Sequence, residues 1–179
     1  MRQSIRLNLS RKSVRRAIEK IKGIEKDMPI LAELISRRLA QEAVSAARQS
    51  LADGGKDYSS EFYSSITYQP SGTTGYKIMS TLGYAWYVEF GTGPVGAANP
   101  HPSGKGKYKD EGWVTQADGK DMRSLYGWKS FKHRDDGSTV YYTAGQPSKH
   151  FMYDGYIHIK QKEVVDRIVA ECIEEVFGK

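Results

Sequence analysis

The apolar positions of this chain fall into two helical stretches separated by a β-textured middle. Ile5, Leu7 and Leu9 alternate with Arg6, Asn8 and Ser10, which predicts a short strand. Ser10 or Ser13 then caps a short basic helix with Val14, Ala17, Ile18 and Ile21 on one face, weakened at Gly23. Asp27 followed by Pro29 predicts the start of a longer helix, from about Met28 to Ala52. Ile30, Leu31, Leu34, Ile35, Leu39, Ala43, Ala46, Ala47 and Leu51 form its apolar stripe, and Gly54-Gly55 ends it. Alanines in its second half predict close packing against a sheet or another helix.

From Tyr58 the period shortens to two. Phe62, Ser64, Ile66 and Tyr68 share one parity, Pro70-Ser71-Gly72 marks a turn, and Tyr76 and Ile78 resume the alternation. A hairpin over about 62–81 follows. Leu82 to Phe90 suits either a short helix, with Ala85, Val88 and Glu89 on one arc, or a buried strand; a helix after a turn at Gly83 is the reading adopted. Tyr84, Trp86, Tyr87 and Phe90 crowd this segment, and such density predicts an anchor in the core. Gly91 then admits a left-handed backbone that turns the chain.

Residues 91–137 read as one glycine-rich excursion with Pro94, Pro100 and Pro102. Trp113, Trp128 and Phe131 argue against complete disorder, so a flap containing a small hairpin is expected. Ser138 to Thr143 predicts a return strand. Residues 149–177 predict a last helix, irregular at Gly155. Helices at both ends of an antiparallel block give an α+β fold: a hairpin plus return strand packed on a long N-terminal helix and a C-terminal helix. The expected division is a basic segment at 1–26 and one α+β domain at 27–179.

Composition narrows the function classes. No stretch reaches the roughly 20 apolar residues of a membrane span, and the N-terminus lacks a signal-peptide pattern, so cytosolic synthesis is expected. Cys172 is the single cysteine, which leaves no intrachain disulfide and fits a small buried hydrophobe. The first 50 residues hold twelve Lys/Arg against five acids. Arg11, Lys12, Arg15 and Arg16 lead this cluster and are the candidate basic contacts for phosphates or an acidic surface.

Catalytic patterns are missing. His150, Asp154 and His158 have helical i, i+4, i+8 spacing, but Phe151 stands where a zinc-protease helix needs Glu, so a polar helix face is the preferred reading. Gly-x-Ser-x-Gly does not occur, and Gly91-Thr92-Gly93 is too short for a dinucleotide loop. The expectation is a protein that is not an enzyme and takes no cofactor or metal.

One resemblance adds to this. Tyr84-Ala85-Trp86-Tyr87-Val88-Glu89-Phe90-Gly91-Thr92 resembles the Tyr-Ala-x-x-Val-Glu-Phe-Gly-Thr core of the phage neck and minor tail-component family. Gln146-Pro147-Ser148-Lys149-His150-Phe151-Met152 looks like that family's entry to its last helix, with His150 where members more often have proline. The resemblance implies a non-enzymatic virion subunit, made in the host cytoplasm and ending in the neck or upper tail. It implies a homo-oligomeric ring between head-closure or connector proteins and tail-terminator or tail-tube proteins, with DNA passing through the lumen without sequence specificity. Trp113, Tyr126 and Trp128 are the candidate interface anchors, with packing inside their own flap as the equal alternative. Glu89 is expected to bond the Gly91–Gly93 turn or a basic group of its own chain, in preference to an Arg of a neighbouring subunit. The other function class left open is a basic nucleic-acid-associated protein.

Overall fold

A computed structural model describes residues 10–54, 58–117, 129–133 and 139–178. The early strand expected at Ile5–Leu9 lies outside them, as do Tyr126 and Trp128. The class is α+β, with a long N-terminal helix, an antiparallel hairpin and a C-terminal helix. The chain divides into two compact units: one holds Met1–Ser50, Ser59–Thr81 and Asp154–Lys179, the other Leu51–Tyr58 and Leu82–Tyr153.

The first unit is organised by α1, Arg11–Asp53, a single helix of 43 residues. At 1.5 Å per residue it extends roughly 65 Å. Ser10 caps it, its Oγ accepting from Ser13 N at 3.3 Å. Two helices were expected here, and the boundary at residue 26 falls inside one. Pro29 lies within α1 rather than starting a second helix. Proline removes one N–H and costs about 3 kcal/mol inside a helix, yet stable helix on both sides carries it through. A Cβ on Gly23 would meet nothing within 4 Å, so no close approach requires that glycine.

Leu31 and Leu34 of α1 close over Val164, Ile168 and Cys172 of the last helix, Lys162–Phe177. That helix follows a shorter one, α5, Phe151–His158, and is called α6. The expected single helix is therefore broken at 159–161 rather than bent at Gly155. Arg38 pairs with Glu171 and Glu175, and Glu42 with Arg167 at 2.9 Å, so α1 and α6 run antiparallel. Burial pushes the Cys172 thiol above its ordinary pKa, as befits a packed, unreactive cysteine.

Gly155 has a packing role. A Cβ there would lie 2.5 Å from Ala43 O and 3.1 Å from Ala47 Cβ. Ala43 and Ala47 are themselves buried, so the expected close helix packing occurs where α5 meets α1. Gly155→Val should therefore destabilise the protein by about 1–3 kcal/mol or more through overpacking; a thermal melt with an unshifted midpoint would refute the contact.

The hairpin pairs β1, Ile66–Ser71, with β2, Gly75–Ser80. Its first expected residues form instead a helical turn, α2, Ser60–Ser65, capped by Ser59 Oγ on Phe62 N. Serine hydroxyls that bond local carbonyls (Ser64 to Ser60 O, Ser65 to Phe62 O) favour the turn over the ladder. Pro70 sits within β1 and the turn follows at 72–74. Gln41 donates to Tyr68 OH at 3.0 Å and Arg48 to Ile66 O at 2.8 Å, which fastens the hairpin to α1.

In the second unit the short helix expected after Gly83 is α3, Ala85–Phe90, and the expected excursion contains regular structure: α4, Gly93–Ala98; β3, Trp113–Ala117; and β4, Lys129–His133. The return strand, β5, Thr139–Thr143, lies between β3 and β4 in a separate sheet and does not join the hairpin. Only residues 134–138 separate β4 from β5, so closing that ladder needs a far shorter loop than pairing with β2. Val140, Tyr141 and Thr143 are buried while Tyr142 is exposed.

Candidate functional site

The run from Tyr84 to Thr92 builds a junction in the second unit. Six residues leave α3 one buried side, and Ala85, Val88 and Glu89 occupy it. The aromatics lie elsewhere: Trp86 is 68 % exposed, Tyr87 61 % and Tyr84 46 %. The expectation that they anchor the core is therefore wrong. Helical geometry forces the result, because residues one and two positions from a buried arc point away from it. Trp86 stacks on Phe90 with centroids 5.2 Å apart, and Phe90 in turn leans on His101 at 4.6 Å.

A helix this short exposes nearly all its terminal carbonyls. Here the segment 146–150 covers them. Gln146 Nε2 donates to Tyr87 O at 2.8 Å, Lys149 N to Val88 O at 2.9 Å, and His150 N to Glu89 O at 3.1 Å. Ser148 Oγ adds a bond to Glu89 O at 2.6 Å. Thr92 and Gln146 exchange backbone bonds as an isolated antiparallel bridge. Gly91 makes the crossing possible. Its φ of 74° and ψ of 175° belong to a region open essentially to glycine.

Glu89 returns the favour to α5. Its carboxylate accepts from Met152 N at 2.8 Å and Tyr153 N at 3.0 Å, two amides of the first turn. The negative charge also suits the positive end of the helix dipole. His101 Nε2 completes the set at 2.9 Å from Glu89 Oε1. Ser103 N donates to His101 Nδ1 at 3.1 Å, so Nδ1 accepts and the proton sits on Nε2, facing the carboxylate. Both side chains are buried. Glu89 thus keeps the intrachain role expected of it, although its partners are α5 and His101 rather than the Gly91–Gly93 turn. Its acceptor positions face two amides and an imidazole, so the carboxylate functions as a cap.

His101 is one of four histidines in the sequence, and no motif there gives it a role. It lies twelve residues from Glu89 with no helical or strand period linking them, and its partner is set by the loop after α4. His150 meets the His101 ring edge-on, with centroids 6.4 Å apart. His150 precedes α5 with a positive φ of 40°, so the i, i+4, i+8 alignment does not form. Asp154 accepts from Ser50 Oγ, and His158 Nε2 is 3.1 Å from Glu42 Oε1. Among the described residues no group of three His, Cys, Asp or Glu has the arrangement of a metal site. Nor, among them, is any helix long and apolar enough to cross a membrane.

Trp113 is half-buried in its own unit: Lys109 Nζ stands 5.3 Å from the ring centroid, and the ring edge closes on Gly93. Arg11, Lys12, Arg15 and Arg16 are all exposed in the first turns of α1. That turn holds no acid, so these cations face the positive end of the helix dipole. They weaken the helix there rather than support it. Compared with protein-family profiles, with characterised proteins and with solved structures, the chain matches none.

Proposed function

We propose that this chain is a non-enzymatic structural subunit of the neck or upper tail of a bacterial virus or phage-tail-like particle. It assembles as a homo-oligomeric ring that joins the head connector to the tail and lets DNA pass. The observation that carries the reading is the division of labour in Tyr84–Thr92. Val88, Glu89, Gly91 and Thr92 lock a rigid crossing with Gln146–Tyr153, while Tyr84, Trp86 and Tyr87 face outward. The two segments that carry the family resemblance are the two that bond each other. Large aromatics held outward on a rigid frame are the composition of an interface hot spot.

Size-exclusion chromatography with light scattering, followed by electron microscopy alone and with neighbouring gene products, tests it. Closed rings are expected. The double variant Trp86→Ala/Tyr87→Ala should keep its circular dichroism spectrum and weaken assembly by about 2 kcal/mol or more. A folded wild-type protein that joins no ring would sink the proposal.

The exposed cations at the positive end of α1 favour a second reading, a basic nucleic-acid-associated protein. It expects duplex DNA binding whose log affinity falls with log salt by about 0.9 per phosphate contacted.

A further inference from the structure

The first half of α1 leaves an apolar stripe uncovered. Val14 is 43 % exposed, Ile18 48 %, Ile21 54 % and Met28 49 %. Steps of four, three and seven place them within about 80° of one another around the helix, an arc that also holds the exposed Glu25 between Ile21 and Met28. The stripe lies on a side of α1 that becomes a packing surface further along, from Leu39 onward, with Ala32 still exposed. Steps of four, seven and four lead from Met28 through Ala32 and Leu39 to Ala43, where α5 packs. Arg11, Arg15, Lys22 and Lys26 line one border of the uncovered part. Residues 11–27 hold seven Lys/Arg against three acids.

A complementary surface exists in the same unit. α6 buries Val164, Ile168 and Cys172 and turns the opposite side outward. There Asp166, Ala170 and Ile173 follow steps of four and three, all exposed, with Glu163 and Glu174 exposed along one border. Ile173 is 44 % exposed. The sixteen residues of α6 hold five acids against two basic residues.

We infer that the uncovered α1 stripe of one copy docks against the outer side of α6 of the next. The contact buries Ile18 and Ile21 against Ile173 and sets the Arg15 and Lys22 border beside Glu163 and Glu174. It is heterologous, joining two different surfaces, and so propagates from copy to copy until a ring closes. Charge complementarity selects α6 over a second α1, because two α1 stripes would bring like charges together. The inference stands on the surface of one unit and does not depend on the particle to which a ring belongs.

The test uses two full-length variants, one for each surface: Ile18→Glu/Ile21→Glu on α1 and Ala170→Glu/Ile173→Glu on α6, so that the two altered surfaces repel each other. All four positions are exposed, so helical circular dichroism should match wild type. Each variant alone should raise the self-association Kd about thirtyfold or more and run as a monomer. Mixed in equal amounts they retain one intact pair of surfaces, α1 from one and α6 from the other. A 1:1 dimer that grows no further is therefore expected by light scattering. The inference is overturned if either variant assembles as wild type does, if the mixture stays monomeric, or if the α1 variant loses only DNA binding. Rings that survive both variants remove this contact and leave the ring proposal standing. A mixed dimer beside wild-type open filaments supports the contact and removes closed-ring assembly.

Discussion

Glu89→Ala should destabilise the protein by about 3–5 kcal/mol, since each buried donor left without an acceptor costs about 1–3 kcal/mol. Three donors lose their acceptor together: Met152 N, Tyr153 N and His101 Nε2. Small domains have only about 5–15 kcal/mol of stability, so the loss is a large share. Glu89→Gln should be milder, about 1–3 kcal/mol, because one oxygen still accepts while the amide NH₂ faces a backbone N–H. Urea denaturation followed by circular dichroism reads both. An alanine variant with the wild-type midpoint would show that the cap contributes nothing.

Gly91→Val is the second large effect, about 2–6 kcal/mol from forbidden backbone and overpacking together. A Cβ at this position would stand 2.6 Å from Ser148 N, 2.8 Å from Gln146 O and 2.9 Å from Pro147 C. These are backbone atoms engaged in the crossing, so they cannot swing aside as a side chain would. Gly91→Ala should be nearly as damaging, since the first carbon already makes the clash. Soluble yield and melting temperature check this. An alanine variant melting like wild type would mean that the crossing relaxes at little cost.

Local chemistry explains what was legible beforehand. The second half of α1, its stop at Gly54, the hairpin at Ile66–Ser80 and the helix at Ala85–Phe90 follow from period, caps and turn residues. Pro29 misled because a proline opening a helix and one inside a helix look alike when both flanks form helix well. The aromatics of α3 misled differently. Their number suggested burial, but once Ala85, Val88 and Glu89 share the buried arc, Trp86 and Tyr87 must face away. That signal was present and under-used. The pairing of Glu89 with His101 and the placement of β5 between β3 and β4 were not legible, since both depend on contacts without a sequence period. His150 marks the departure from the resembled family's pattern. Its φ is 40° and its N–H bonds Glu89 O, whereas proline has φ near −65° and no N–H. The turn into α5 is thus made here in a way proline cannot copy.

The Thr92–Gln146 bridge joins residues 54 positions apart, and its consequence concerns tolerance to inserted sequence. That bridge closes the base of a long segment that carries α4, β3, β4 and β5. The entropy of closing such a loop rises only logarithmically, by about 0.6 kcal/mol per doubling of length. Foreign segments spliced into its exposed stretch at Lys105–Lys107 should therefore leave the crossing intact. The chain offers itself as a display scaffold, with a graft site separate from Glu89 and Gly91.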